Sequence, residues 1–164
     1  MIRTMIRRTA FAGVVAAMYI ALVLLNLGYS FGLVQFRAAE ALTMLPFLFL
    51  ESIPGLFVGC LLSNLFSQYG APDIIIGSLA TLLAAVLTAR CKNRWVAALP
   101  PILINALAIG TMITILYTPD ATWLSLPLNI GAIALSQTIV CFGLGVPLTF
   151  LLQRATPKLI TNRR

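Results

Sequence analysis

Long apolar stretches, each separated from the next by a short polar or charged break, make up almost the whole of this chain. Several of them approach the roughly 20 residues that a helix needs to cross the hydrocarbon core of a bilayer. The chain is 60% hydrophobic and 9% charged, whereas soluble domains carry roughly 25% charged residues. Its 11 basic and 4 acidic side chains cannot cover a soluble body of 164 residues. The sequence therefore predicts an all-α integral membrane protein with one transmembrane domain, residues 1–164.

Six apolar segments are assigned to transmembrane helices. The predicted helices are 9–27, 38–50, 55–67, 74–89, 97–117 and 126–152. The ambiguous region is 38–69, which could form one long span or two short ones separated by residues 51–54. Pro54 fits the first turn of a new helix, where its missing N–H costs nothing.

The positions of the basic residues decide between one span and two. Cytoplasmic loops carry an excess of Lys and Arg. With two spans and a cytoplasmic N-terminus, ten of the 11 basic residues lie inside, at 3–8, 90–94 and 154–164, and only Arg37 lies outside. With one span, the last two groups would lie on opposite sides of the membrane. The sequence therefore predicts six helices with both termini cytoplasmic. The net charge of +7 then serves orientation and contact with anionic lipid headgroups, not nucleic acid.

Several function classes are excluded by absent residues. The chain contains no histidine, which excludes a His-based triad, a His metal site and a His proton relay. Its three cysteines, Cys60, Cys91 and Cys141, lack the spacing of a zinc site or a disulfide framework. There is no G-x-x-x-x-G-K-[ST] motif for ATP. We therefore predict a non-enzyme without a metal or cofactor of its own, whose energy for any transport comes from a partner.

Charged and polar side chains near the start of the second predicted helix are the first candidate binding residues. A charge at mid-bilayer costs about 2.5–3.5 kcal/mol on insertion scales, so such residues need a partner or a function. Gln35, Arg37 and Glu40 lie together at the predicted outer mouth of this helix, and the spacing of Arg37 and Glu40 places them on one face. They fit either an interfacial ion pair or a donor and a carboxylate that point into a cavity open to the outside.

Amides within the membrane are the second group of candidates. Asn64 lies in the outer half of the third predicted helix, Asn105 near the middle of the fifth, and Asn129 in the sixth. Such an amide either bonds a neighbouring helix or reaches a ligand. Asp73 precedes the fourth helix, and we predict that it caps that helix.

Small residues repeat every four positions along the first helix, at Gly13, Ala17 and Ala21. A ridge of this kind lets a second helix approach closely. The sequence leaves open whether that helix belongs to the same bundle or to a partner subunit.

Several stretches of the chain resemble the QueT family. The most distinctive are VQFRAAEAL at 34–42 and PPILINA at 100–106; residues 43–47, 53–60, 63–65 and 73–82 continue the resemblance. It covers nearly the whole chain apart from the termini and the loop 118–125.

QueT proteins are similar to the substrate-binding S components of energy-coupling-factor (ECF) transporters. The resemblance implies an S-component-like bundle of six helices in the bacterial plasma membrane. Its cargo would be a queuosine precursor or salvage product, a 7-deazaguanine such as preQ0, preQ1 or queuine. The resemblance also implies that the ridge of Gly13, Ala17 and Ala21 docks on a transmembrane coupling subunit (EcfT), which sits on two cytoplasmic ATPases.

Under this resemblance, Glu40 is expected to accept the N1–H and 2-amino donors of a guanine-like edge. The amides of Asn64 and Asn105 would serve its other polar atoms. Arg37, Gln35 and Asn129 are expected at the same site, with the loop 28–37 as an outer lid. The alternatives are an S component for another heterocycle, a membrane-embedded enzyme, and a structural or regulatory bundle.

Overall fold

The computed structural model describes residues 2–30 and 36–156, and within these ranges all regular structure is helical. The α-helices are α1 (Ile2–Leu25), α2 (Leu27–Ser30), α3 (Ser52–Asn64), α4 (Ser78–Arg90), α5 (Arg94–Ala97), α6 (Leu99–Tyr117), α7 (Ser125–Val140) and α8 (Val146–Ala155). A 3-10 helix, Ala38–Phe47, precedes α3, and π-helical turns at Asp73–Gly77 and Cys141–Gly145 lead into α4 and α8. The predicted helical fold class is therefore confirmed for the described residues.

Four helices of the described part of the chain are long and apolar enough to cross a membrane. They are Met5–Leu25, Asp73–Arg90, Arg94–Tyr117 and Ser125–Ala155. The π turns continue the helices they lead into, and Ala98 joins α5 to α6. These four helices correspond to the first, fourth, fifth and sixth predicted from the sequence.

The region 38–69 contains two short helical segments, which residues 48–51 separate. The first is the 3-10 helix, whose ten residues extend about 20 Å at a rise of about 2.0 Å each. The second is α3, whose 13 residues also extend about 20 Å at about 1.5 Å each. Helix α3 begins at Ser52, three residues before the predicted start, with Pro54 in its first turn.

The 3-10 helix is the central element of the bundle. It packs against α1, α4, α8 and the π turn at Cys141–Gly145, and every residue from Ala39 to Pro46 is buried. The approach to the π turn depends on Gly145, because a Cβ there would lie 2.6 Å from Met44 Cγ. Runs of 3-10 helix longer than three or four residues are uncommon. This ten-residue run is packed tightly on several sides.

Helices α1 and α3 cross at close range through small residues. A Cβ on Gly55 would collide with the carbonyl oxygen of Ala12, and a Cβ on Gly59 would lie 3.1 Å from Ala16 Cα. Gly55 and Gly59 are four residues apart, the spacing that lets two helix backbones approach in a membrane. The crossing therefore uses Ala12 and Ala16, the neighbours of the predicted ridge.

The predicted ridge itself faces away from the bundle. Gly13, Ala17 and Ala21 are exposed, and a Cβ on Gly13 would meet nothing within 4 Å. Among the described residues, the ridge therefore does not serve packing within the chain.

Described residues from all three predicted cytoplasmic groups lie at one end of the bundle. Arg8 forms an ion pair of 3.4 Å with Glu51 in the turn after the 3-10 helix. Arg94 Nη2 donates to Gln153 Oε1 at 2.6 Å, next to Arg154. Phe47, at the end of the 3-10 helix, packs against the core cluster that contains Ala97. Phe47 lies four residues before Glu51 and Ala97 three residues after Arg94, so this packing connects the two polar contacts.

The α1–α3 crossing generates a stability prediction. Gly59→Leu should lower the free energy of unfolding by about 1–3 kcal/mol, the usual cost of overpacking, because its side chain meets the α1 backbone. Gly13→Leu, a control with the same substitution on the exposed face of α1, should leave that free energy unchanged or raise it. Equilibrium unfolding in mixed micelles measures both. An equal loss in the two variants would contradict the close crossing.

Candidate functional site

Six polar side chains converge in the interior of the bundle from α1, the 3-10 helix and the residue before it, α3, the π turn before α4, and α6. We call this set the polar cluster: Tyr19, Arg37, Glu40, Asn64, Asp73 and Asn105. Each is at most 4% exposed. Buried polar groups need partners, because burial of an unpaired group costs roughly 1–3 kcal/mol by mutational data, and the cluster supplies most of these partners from within.

Glu40 is bound by side chains from two helices. Tyr19 Oη donates to Glu40 Oε1 at 2.6 Å, and Asn105 Nδ2 donates to Glu40 Oε2 at 3.1 Å. Each carboxylate oxygen can accept a further hydrogen bond, since an ionised carboxylate has about four acceptor positions. The carboxylate is thus held in a fixed orientation while it retains acceptor capacity.

Arg37 joins the 3-10 helix to α3 and to the start of α4. Its Nη2 donates to Asn64 Oδ1 at 2.5 Å and lies 3.5 Å from Asp73 Oδ2, while its Nε donates to the carbonyl of Ser30 at 3.1 Å. The described ion pair of Arg37 is therefore with Asp73. The sequence suggested a pair of Arg37 with Glu40, and the structure places the partner on another element.

Asp73 is not the helix cap that the sequence predicts. It is the first residue of the π turn, and no side-chain capping bond is present at this helix start. Its Oδ2 instead accepts from Ser67 Oγ at 2.6 Å and faces Arg37. A charge-assisted bond to a buried guanidinium is roughly twice as strong as a neutral bond, which explains why the carboxylate turns inward.

Four of the six predicted binding residues therefore meet in one place: Arg37, Glu40, Asn64 and Asn105. Asn129 lies apart from them, since its Nδ2 donates to Thr114 Oγ1 at 2.9 Å and to Thr118 Oγ1 at 3.4 Å. Those bonds connect α7 to α6. Gln35 lies outside the described residues, as does the part of the predicted lid from 31 to 35.

Tyr19 belongs to the polar cluster, and sequence reasoning missed it. Tyr is expected near the two membrane surfaces, so a Tyr within the first helix carried no functional meaning. The signal was its spacing from Val15 and Val23, which are four residues away on either side and share its buried face. A hydroxyl on the inner face of an apolar helix needs a partner inside the bundle.

Two cavities of the described structure lie away from the polar cluster. One, of about 660 Å³, is at the Arg8–Glu51 end, and the other, of about 670 Å³, lies on the apolar side of α4 and α6. Because the cluster residues bond one another, a ligand that binds here must exchange hydrogen bonds with them. No three His, Cys, Asp or Glu side chains of the described ranges form a group that could hold a metal ion.

Comparison with known proteins adds a family match. Residues 9–154 match the family model described as QueT transporter. This range includes every residue of the polar cluster and the exposed ridge of α1. No curated protein and no solved structure matches the chain.

Removal of the hydroxyl that binds Glu40 provides a test of the buried network. Tyr19→Phe should lower the free energy of unfolding by about 1–3 kcal/mol, because a buried carboxylate oxygen loses its donor. The control is Tyr117→Phe, which removes the bond from Tyr117 Oη to the Tyr69 carbonyl near the end of α6, where Tyr117 is 37% exposed. Water can replace that bond, so its loss should cost less than about 1 kcal/mol. A larger loss for Tyr117→Phe than for Tyr19→Phe would contradict the assignment.

Proposed function

The chain belongs to the QueT transporter family, and from this we propose that it is the substrate-binding S component of an ECF importer. It is a multi-pass membrane protein, in keeping with its four long apolar helices. In this proposal it takes up a queuosine precursor or salvage product from outside the bacterial plasma membrane. Partner ATPases hydrolyse the ATP. The observation that carries the proposal is the polar cluster, a set of hydrogen-bonding side chains buried inside an apolar bundle.

Glu40 is the proposed anchor for the ligand. The guanine-like edge of a 7-deazaguanine presents N1–H and a 2-amino group as adjacent donors, and a carboxylate can accept from both. Tyr19 and Asn105 hold Glu40 from two helices, so its orientation is set before the ligand arrives. Pre-organisation of this kind reduces the ordering that binding must otherwise impose.

Asn64 and Asn105 are proposed to serve the other polar atoms of the base. An amide is donor and acceptor at once, so these two residues can meet either type of atom. Arg37 donates a hydrogen bond to Asn64 Oδ1. The amide nitrogen of Asn64 donates to Cys60 Sγ and to the carbonyl of Asp73. A site of this polarity rejects analogues that lack a matching group, because its own polar atoms would then remain unpaired.

The exposed ridge on α1 is the proposed contact with the transmembrane coupling subunit. In lipid, helices associate through close packing of small residues rather than through hydrophobic burial. Gly13, Ala17 and Ala21 present such a surface and make no use of it within the described bundle. In the proposed orientation both termini are cytoplasmic, and the six helical segments, including the 3-10 helix and α3, lie within the membrane.

A binding titration on the purified protein in lipid nanodiscs tests the ligand class. The panel is preQ0, preQ1, queuine, guanine, riboflavin and folate. We expect submicromolar affinity for at least one 7-deazaguanine and at least about 100-fold weaker binding of that ligand to Glu40→Gln, because the amide places a donor where the edge also donates. Binding of riboflavin or folate alone would instead assign the S component to another heterocycle.

Two matched amide variants define the extent of the site. Asn105→Leu should weaken binding of the responsive ligand at least about tenfold, since Asn105 holds Glu40 and is proposed to touch the base. Asn129→Leu removes an amide of the same type that bonds Thr114 and Thr118 instead. Equal weakening in both variants would mean that the site extends to Asn129, as the sequence suggested. An unchanged affinity in Asn105→Leu would exclude Asn105 from the site.

The docking face has its own prediction, independent of the ligand. Gly13→Leu should abolish co-purification with the coupling subunit and ATPases and should stop uptake, while ligand binding stays within about threefold, because the new side chain blocks close helix approach. Gly131→Leu is the control, since Gly131 is exposed on α7 and a Cβ there also meets nothing within 4 Å. Assembly that survives Gly13→Leu would place the docking face elsewhere.

A further inference from the structure

The charges inside the polar cluster do not balance. Arg37 supplies one positive charge, whereas Glu40 and Asp73 supply two carboxylates, and all three are at most 4% exposed. Residues 31–35, which connect to Arg37 and are not described, have the sequence FGLVQ and carry no charge. Among the side chains that the structure describes, Arg37 is also the only buried basic one. We propose that the ligand of this site carries a protonated amine that pairs with Asp73, an inference that rests on the proposed role of the cluster as the ligand site.

The neutral partners of Glu40 do not compensate its charge. Tyr19 and Asn105 each donate one hydrogen bond to it, but a hydroxyl and an amide bring no net charge. The single guanidinium is engaged with Asp73 and Asn64. An unpaired ion in a low-dielectric interior strongly destabilises the folded protein, which is why removal of one partner from a buried ion pair is so costly. With a cationic ligand bound, the cluster contains two positive and two negative charges.

Asp73 carries the atom that such a cation would meet. Its Oδ2 accepts from Ser67 and faces Arg37, whereas its Oδ1 is fully buried and has no hydrogen-bond partner in the described structure. Buried carboxylate oxygens without a donor are rare in native proteins. An ammonium group has three N–H donors and a positive charge, so it satisfies the bond and the charge together.

Gly77 packs closely beside that oxygen. A Cβ at position 77 would lie 2.9 Å from Asp73 Oδ1 and 2.8 Å from Asn64 Nδ2. Gly77 has an ordinary helical φ of −64°, so a turn does not require glycine at this position. Close approach of the Asp73 and Asn64 side chains to the backbone accounts for it.

Two ligands that share one ring system, and of which only one carries the amine, distinguish the contribution of the amine to binding from that of the ring. The probes are 7-aminomethyl-7-deazaguanine (preQ1), which is cationic at neutral pH, and 7-cyano-7-deazaguanine (preQ0), whose neutral nitrile offers an acceptor to a carboxylate. Calorimetric titration of the full chain in nanodiscs should give at least about 100-fold tighter binding of preQ1. Equal binding, or tighter binding of preQ0, would overturn the amine proposal while the proposed function stood. Failure of preQ0, preQ1 and also queuine to bind would overturn the two proposals together.

Two variants test the role of Asp73. In Asp73→Asn the preference for preQ1 over preQ0, measured as the ratio of their dissociation constants, should fall at least tenfold. Gly77→Ala, which adds a methyl group beside Oδ1, should reduce the preference in the same direction and decides the matter if Asp73→Asn does not fold. Gly131→Ala is the control for the glycine substitution, because the added Cβ meets nothing within 4 Å. A native preference in a folded Asp73→Asn or Gly77→Ala protein would exclude Asp73 as the partner of the amine.

Discussion

Polar side chains inside an apolar bundle can pair only with one another, because the hydrocarbon around them offers no hydrogen bonds. That constraint fixes the relative positions of five elements in this protein. Glu40 ties the 3-10 helix to α1 and α6, and Arg37 ties its start to α3 and to the π turn before α4. The elements that carry these residues cannot shift far without leaving a buried charge unpaired.

The 3-10 helix follows from the same constraint together with its short length. A segment of ten residues gains reach from the steeper rise, about 20 Å against about 15 Å for an α-helix. In this geometry side chains three residues apart lie in one row, and Thr43 Oγ1 accordingly donates to the carbonyl of Glu40 at 2.6 Å. Gly145 and the small residues around it let the neighbouring helices close over the segment.

The length of apolar runs is a strong signal in the sequence, and it predicted the four long helices. The positions of the basic residues favoured the division of region 38–69. The 3-10 form of Ala38–Phe47 had no such signal, because a segment buried on all sides has no periodic apolar face. The pair of Arg37 and Asp73 had no such signal either, because the spacing of Arg37 and Glu40 indicated a pair on one helical face. Local capping rules assigned Asp73 to its own helix, and only the fold brings 37 and 73 together.

Helix α1 contributes residues to both proposed activities, ligand binding and docking on the coupling subunit. Its inner side carries Ala16 against Gly59 and Tyr19 against Glu40, while its outer side carries the exposed ridge of Gly13 and Ala17. If a ligand takes a hydrogen-bond position on Glu40, Tyr19 must move or share that carboxylate, and the close crossing with α3 allows little sideways adjustment. Helix α1 therefore carries part of the proposed ligand site on its inner side and the proposed docking face on its outer side.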